Sequence, residues 1–300
     1  MPLTASYLLE TFTFTGADGL KLFGRCWPAK VDPSVAPRAA VALVHGISEH
    51  SGRYDAVVDH LTESGFVVYA FDLRGHGESP GRRGHIDHWS QYRDDVKAYL
   101  EQVRARDPGL PVFIYGHSLG ALIVAEYVLF HPEGLAGMIV SGIPLRPTGV
   151  AKPPLVLLAK ALSRIWPTFS VSLGVKGERL SRDPERVRAY NEDPLVHHTA
   201  TARWGTETLK AIDRVKARMS EIRLPILILH GGADPVNSVQ GSRELYDAVS
   251  SADKVLEVYP GGMHEPHNDT IRGEAADDVE KWLTRQLGNS AKNSPSDRAH

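Results

Sequence analysis

Gly116-His117-Ser118-Leu119-Gly120 is the segment of this 300-residue chain in which residue type and spacing point most directly to chemistry. It fits G-x-S-x-G, directly after the apolar run Val112–Tyr115 and directly before a helical pattern. A serine so placed occupies a tight strand-to-helix turn, and the flanking glycines let neighbouring backbone pass. The helix start beneath it supplies aligned N–H groups and a positive dipole end, both favourable to developing negative charge. The expected chemistry is nucleophilic attack by Ser118.

A nucleophilic serine needs a base, and the base needs an orienting group. With this elbow the acid and then the histidine follow in chain order, on loops after later strands. The run Pro225–His230 leads into Gly231-Gly232-Ala233-Asp234, and Lys254–Tyr259 leads into Pro260-Gly261-Gly262-Met263-His264. Asp234 is therefore expected to orient and His264 to act as general base. Both lie at the strand ends where open α/β sheets place their sites. Asp253 precedes its strand and Asp247 falls in a helical pattern, so both read as surface. His267 reads as a supporting or helix-start residue, and His230, at a strand end, as structural. His45-Gly46-Ile47 closes another strand, and the expected oxyanion donors are the backbone amides of Ile47 and Leu119.

The glycine-rich run Asp72–Ser79 is not a dinucleotide fingerprint, since Pro80 stands where G-x-G-x-x-G needs its third glycine. Asp72, Arg74 and His76 are expected to hydrogen-bond beneath the site. Fourteen histidines are scattered along the chain, and His264-Glu265-Pro266-His267 departs from the HExxH helix pattern, so no metal is expected. The single cysteine, Cys26, cannot form an internal disulfide and reads as a small apolar strand residue.

The scaffold follows from the rhythm of apolar runs. Short strand-like runs alternate with helical patterns, the signature of a covered, mostly parallel α/β sheet. That rhythm covers residues 1–142 and 224–287, the expected core. Between them, 143–223 opens with Pro144, Pro147, Pro153 and Pro154 and shows helical stretches without a strand pattern, the expected helical cap. Residues 288–300, GNSAKNSPSDRAH, read as a disordered tail. The formal net charge of -2 argues against a nucleic-acid partner. The N-terminus lacks a signal-peptide pattern, and no run approaches the roughly 18 apolar residues of a membrane span. The expected location is cytoplasmic, with peripheral membrane association through the cap.

The segments HGISEHSGRY (45–54), DLRGHGES (72–79), PVFIYGHSLG (111–120), YNEDPLV (190–196), HGGADPV (230–236) and YPGGMHEPHND (259–269) carry a resemblance. Over roughly residues 10–287 the chain resembles the monoacylglycerol lipase and lysophospholipase branch of the α/β-hydrolases. The resemblance implies an α/β-hydrolase fold with a mostly parallel eight-stranded sheet, an inserted helical cap and no cofactor. It implies hydrolysis of carboxylic esters of glycerol or related lipids. By position it gives the triad as Ser118, Asp234 and His264, and the oxyanion donors as Ile47 and Leu119. Ala121 stands where the family often has a further glycine.

A short-chain carboxylesterase or acyltransferase would use the same triad, and a non-catalytic homologue would use the same pocket as a receptor. In the cap, Leu155, Leu158, Leu162, Ile165 and Trp166 form one helical stripe, with Val156 and Leu157 outside it. Leu155, Leu158, Leu162 and Ile165 are the expected acyl-chain contacts. A second apolar face would meet a membrane or micelle surface. The competing reading is plain packing of cap on core.

Overall fold

The computed structural model of the chain describes residues 9–32, 34–148 and 153–292. Strands β1 (Glu10–Thr15) and β2 (Lys21–Trp27) form an antiparallel hairpin. The turn between them contains Asp18 at φ 57° and Gly19 at φ 74°. Both strands alternate buried and more exposed positions, as a half-covered sheet edge requires. There follow β3 (Ala40–Val44), α1 (Asp55–Glu63), β4 (Val67–Phe71), α2 (Ser90–Arg106), β5 (Val112–His117), α3 (Leu119–Val128) and β6 (Gly137–Ser141).

The intervening segment holds α4 (Pro153–Ile165), β7 (Ser170–Ser172), α5 (Pro184–Glu192), β8 (Thr199–Thr201) and α6 (Ala202–Arg218). The core resumes with β9 (Ile226–Gly231), α7 (Val239–Ala248), β10 (Lys254–Tyr259) and α8 (Arg272–Lys292).

Eight strands make one sheet in the order β1-β2-β4-β3-β5-β6-β9-β10. The two pairings of β2 are antiparallel and all the others are parallel. Strands β3, β4, β5, β6 and β9 are buried at every position, which is why they read as unbroken apolar runs.

Their side chains alternate between two cores. Ala40, Ala42 and Val44 face one with Tyr92, Tyr99 and Leu122 of α2 and α3. Val41 and Leu43 face the other with Val57 and Leu61 of α1 and Val279, Trp282 and Leu283 of α8. Full burial of each large side chain contributes about 2 kcal/mol. After β3 the chain goes one way across the sheet to β4, and later returns to place β5 on the other flank of β3. The loops after β3 and β5 therefore diverge, opening a crevice at their carboxyl ends.

Two elements differ from the sequence reading. The segment 143–223 is not helical alone, because β7 and β8 pair as an antiparallel ribbon. Strands of three residues, with every position of β7 exposed, leave no alternation to detect. The closing helix α8 also runs past Leu287 to Lys292, so 288–292, read as the start of a disordered tail, are helical. The helix continues through Gly288, since a glycine inside a helix costs only about 1 kcal/mol. Residues 293–300 lie outside the described residues. No helix among the described residues is long and apolar enough to cross a membrane.

Candidate active site

Ser118 joins β5 to α3 with φ 52° and ψ −116°, a conformation that L-residues rarely hold. The adjoining glycines make the turn possible. A Cβ on Gly116 would stand 2.4 Å from the Gly120 carbonyl oxygen, and one on Gly120 would stand 2.0 Å from that of Val44. The Ser118 amide donates to the Ser141 carbonyl at 2.8 Å, tying the turn to β6.

The hydroxyl of Ser118 is 2.9 Å from His264 Nε2, and His264 Nδ1 is 2.8 Å from Asp234 Oδ2. Since a carboxylate only accepts, Nδ1 carries the proton and Nε2 is left to receive the serine's. Asp234 Oδ1 accepts the amides of Val236 at 2.7 Å and Asn237 at 3.0 Å. The loops after β9 and β10 come together at Gly231, where a Cβ would lie 1.9 Å from the Met263 carbonyl oxygen.

Burial works against both charges of this pair. It pushes the Asp234 carboxyl up, yet the neighbouring His264 charge and the donors from His230 and His264 hold it well below its ordinary value. Burial pushes His264 down, yet the Asp234 charge and hydrogen bond leave its pKa raised. The two opposed influences leave Nε2 able both to take and to return a proton.

The loop after β3 passes directly over the serine, because a Cβ on Gly46 would lie 3.1 Å from Ser118 Cβ. Among the described residues, the amides of Ile47 and Leu119 have no protein acceptor. His45 braces this loop. Its Nδ1–H donates to the Gly46 carbonyl at 2.7 Å, and its Nε2 accepts the Leu73 amide at 2.9 Å.

Asp72 accepts the amides of Ser51 and Glu78, each at 2.8 Å, and pairs with Arg25 at 3.1 Å. Arg74 forks onto Asp95 at 2.7 and 2.9 Å, and His76 Nδ1 donates to the Arg74 carbonyl at 3.0 Å. These residues hold loops; none of their hydrogen bonds reaches Ser118. Cys26 is buried in β2, and its thiol is pushed up to about 11 by that burial.

Sequence reasoning missed a buried polar network beside the serine. Glu49 Oε1 accepts the Gly46 amide at 2.6 Å and the Tyr54 hydroxyl at 2.8 Å. Arg53 bonds Glu49 at 3.1 Å and forks onto Glu265 at 2.8 and 2.9 Å. The Tyr190 ring from α5 lies 4.6 Å below the Arg53 guanidinium. Burial and the Glu265 charge push Glu49 up to about 7 despite Arg53.

The only local signal was the four-residue spacing of Glu49 and Arg53, one helical turn apart. Their partner Glu265 lies more than 200 positions along the chain. His267 does not touch Ser118; its ring stacks on Tyr54 at 4.3 Å and 6°. His117, Glu265 and His267 bring donor atoms within 4.8 Å of one another. Both Glu265 oxygens are already engaged by Arg53 and Asn268, so a cation there would face a buried guanidinium.

In α4 the side chains of Leu155 and Leu158 lie outside the described residues. Leu162 is half-buried, whereas Ile165 is 84% exposed and does not line an enclosed channel. Ile165 is the last residue of α4, just before Pro167, and the helical stripe ends there. It joins Leu157 (70% exposed), Trp166 (58%) and Val171 (48%) in a set of outward apolar side chains.

A family model described as serine aminopeptidase S33 matches residues 35–271. The chain is 35% identical over 276 residues to the monoacylglycerol lipase of Mycolicibacterium smegmatis, covering 92% of this chain and 97% of that one. The chain belongs to this α/β-hydrolase family. Another relative is the human monoglyceride lipase, 32% identical over 283 residues, with 93% and 92% covered. Among solved structures, the family member superposes on Paleococcus ferrophilus monoacylglycerol lipase with a TM-score of 0.80 at 34% identity, covering 88% of this chain and 99% of that one.

Proposed function

We propose that this protein hydrolyses the ester bond of monoacylglycerols, with Ser118 as nucleophile, His264 as general base and Asp234 as its orienting acid. The observation that carries the reading is the unbroken hydrogen-bonded series Ser118–His264–Asp234 at a strained elbow. The names of the relatives, monoacylglycerol and monoglyceride lipase, support the substrate class.

In the first half-reaction the Ser118 oxygen bonds to the ester carbonyl carbon while His264 Nε2 takes its proton. The oxyanion accepts from the amides of Ile47 and Leu119, each such donor being worth about 3 kcal/mol in the transition state. The ester C–O bond breaks, and the alcohol leaves with the proton from His264. Water then adds to the acyl carbon, gives its proton to the same nitrogen, and the fatty acid departs as Ser118 regains its own.

One feature suits an amphiphilic substrate. The exposed Leu157, Ile165, Trp166 and Val171 offer apolar side chains of the cap segment to a membrane or micelle surface. The test is a comparison of kcat/KM for monoacylglycerols, lysophospholipids and acetate esters. Monoacylglycerols of medium or longer chain are expected to lead. A preference for acetate esters would replace the lipase reading with that of a short-chain esterase.

A further inference from the structure

Asp234 faces two imidazoles. His264 Nδ1 stands 2.8 Å from Oδ2, and His230 Nε2 stands 3.2 Å from the same oxygen. We propose that His230, near the end of β9, is a positioning residue for the Asp234–His264 pair, locked in the required tautomer by Ser242. The proposal rests on Asp234 being the orienting acid.

The tautomer follows from the neighbours. His230 Nε2 lies 3.0 Å from the Asn237 carbonyl oxygen, besides the Asp234 carboxylate. Neither group can donate, so Nε2 carries the proton. Its Nδ1, 2.7 Å from Ser242 Oγ, is then a bare lone pair, and the Ser242 hydroxyl must donate to it. Both His230 and Ser242 are fully buried, so no water competes for either bond. A histidine without this contact would be free to present its lone pair to the carboxylate and push it away.

The arrangement closes on itself. The Asn237 carbonyl accepts the His230 N–H, the Asn237 amide donates to the other Asp234 oxygen at 3.0 Å, and the Asn237 side chain donates to the Gly142 carbonyl at 2.8 Å. Oδ1 is thus fixed by backbone amides, while Oδ2 accepts the His264 N–H and lies 3.2 Å from the His230 nitrogen whose N–H it shares with the Asn237 carbonyl. Two consequences follow for the reaction. The carboxylate cannot turn away from His264, which keeps Nε2 aimed at the serine. The His230 N–H also draws off part of the negative charge that His264 feels, so it moderates how basic His264 becomes.

The test compares His230→Leu, His230→Gln and Ser242→Ala in the full chain, using a soluble p-nitrophenyl ester across a pH series. Active sites are counted with a fluorophosphonate label, so that a folding loss is not read as a catalytic one. His230→Leu is expected to lower kcat about tenfold, the equivalent of one hydrogen bond to a charged group, with KM nearly unchanged. The acid limb of kcat/KM should move to higher pH, because His264 then faces the unmoderated carboxylate.

His230→Gln, whose amide N–H falls near the position of Nε2, should restore most of both. Ser242→Ala should fall between leucine and wild type. Wild-type kcat and an unmoved acid limb in fully labelled His230→Leu would overturn the proposal. If His230→Leu does not fold, the ¹⁵N imidazole spectrum of the wild type decides: a proton on Nδ1 of His230 overturns the proposal. A wild-type protein that takes no label at Ser118 would instead defeat the parent assignment.

Discussion

Gly120→Ala is the sharpest probe of the elbow, because the added methyl would meet backbone that has no room to yield. The added methyl would stand 2.0 Å from the Val44 carbonyl oxygen and 2.6 Å from that of His45. Both neighbours are backbone, so neither can rotate aside. Relief to an ordinary contact needs more than an ångström of separation between β3 and the start of α3. Overpacking of this kind costs about 1–3 kcal/mol in stability. The same shift moves Leu119 N–H and Ser118 away from the loop after β3, and a misplacement of about 1 Å costs roughly a hundredfold in rate.

Gly205→Ala is the matched control. Gly205 lies inside α6, and a Cβ there meets nothing within 4 Å. It should raise stability by about 0.5–1 kcal/mol through helix propensity and leave kcat alone. The assay is Tm together with kcat per labelled active site. Wild-type kcat in Gly120→Ala would refute the account of why G-x-S-x-G is needed here.

Further outcomes are expected. Ser118→Ala should fold normally and lose at least about a thousandfold in kcat, read against the wild type by single-turnover assay. His264→Ala should abolish turnover, whereas His267→Ala should cost far less, since its ring stacks on Tyr54 and does not reach Ser118. His264 must be neutral to accept a proton and its pKa is raised, so kcat/KM should fall with acid from a midpoint above 6.5. Glu49, raised to about 7 from 4.5, stabilises the fold most below the lower value and loses that contribution as pH rises through the higher. Glu49→Gln should flatten the stability profile in that window, measured by denaturant titration. Trp166→Ser with Ile165→Ser should weaken binding to lipid vesicles and leave hydrolysis of dispersed short esters unchanged.

What could be read from the sequence was local. The elbow, the His45–Ile47 loop and the two later strand-end loops each pair an apolar run with glycines, and the chain alone shows that pattern. The structure puts Ser118, His264 and Asp234 within hydrogen-bond distance through those same loops. Contacts between distant segments were not legible. Arg53 reaches Glu265 across the sheet edge, and His230 gains its partner Ser242 only when α7 packs against β9. A strand-end histidine reads as structural until a second donor to the carboxylate comes into view. Short exposed strands such as β7 carry no period, and the stripe on α4 showed a face without showing which way Ile165 points.

Trapping the acyl group shows whether Ser118 is the nucleophile. A monoacylglycerol is mixed with the protein and quenched in acid, and the digest is analysed by mass spectrometry alongside the released alcohol. The account predicts a fatty-acyl ester on the peptide containing Ser118, glycerol released in step with its formation, and no adduct in His264→Ala. Turnover without an adduct on Ser118, or an adduct on another residue, would contradict it.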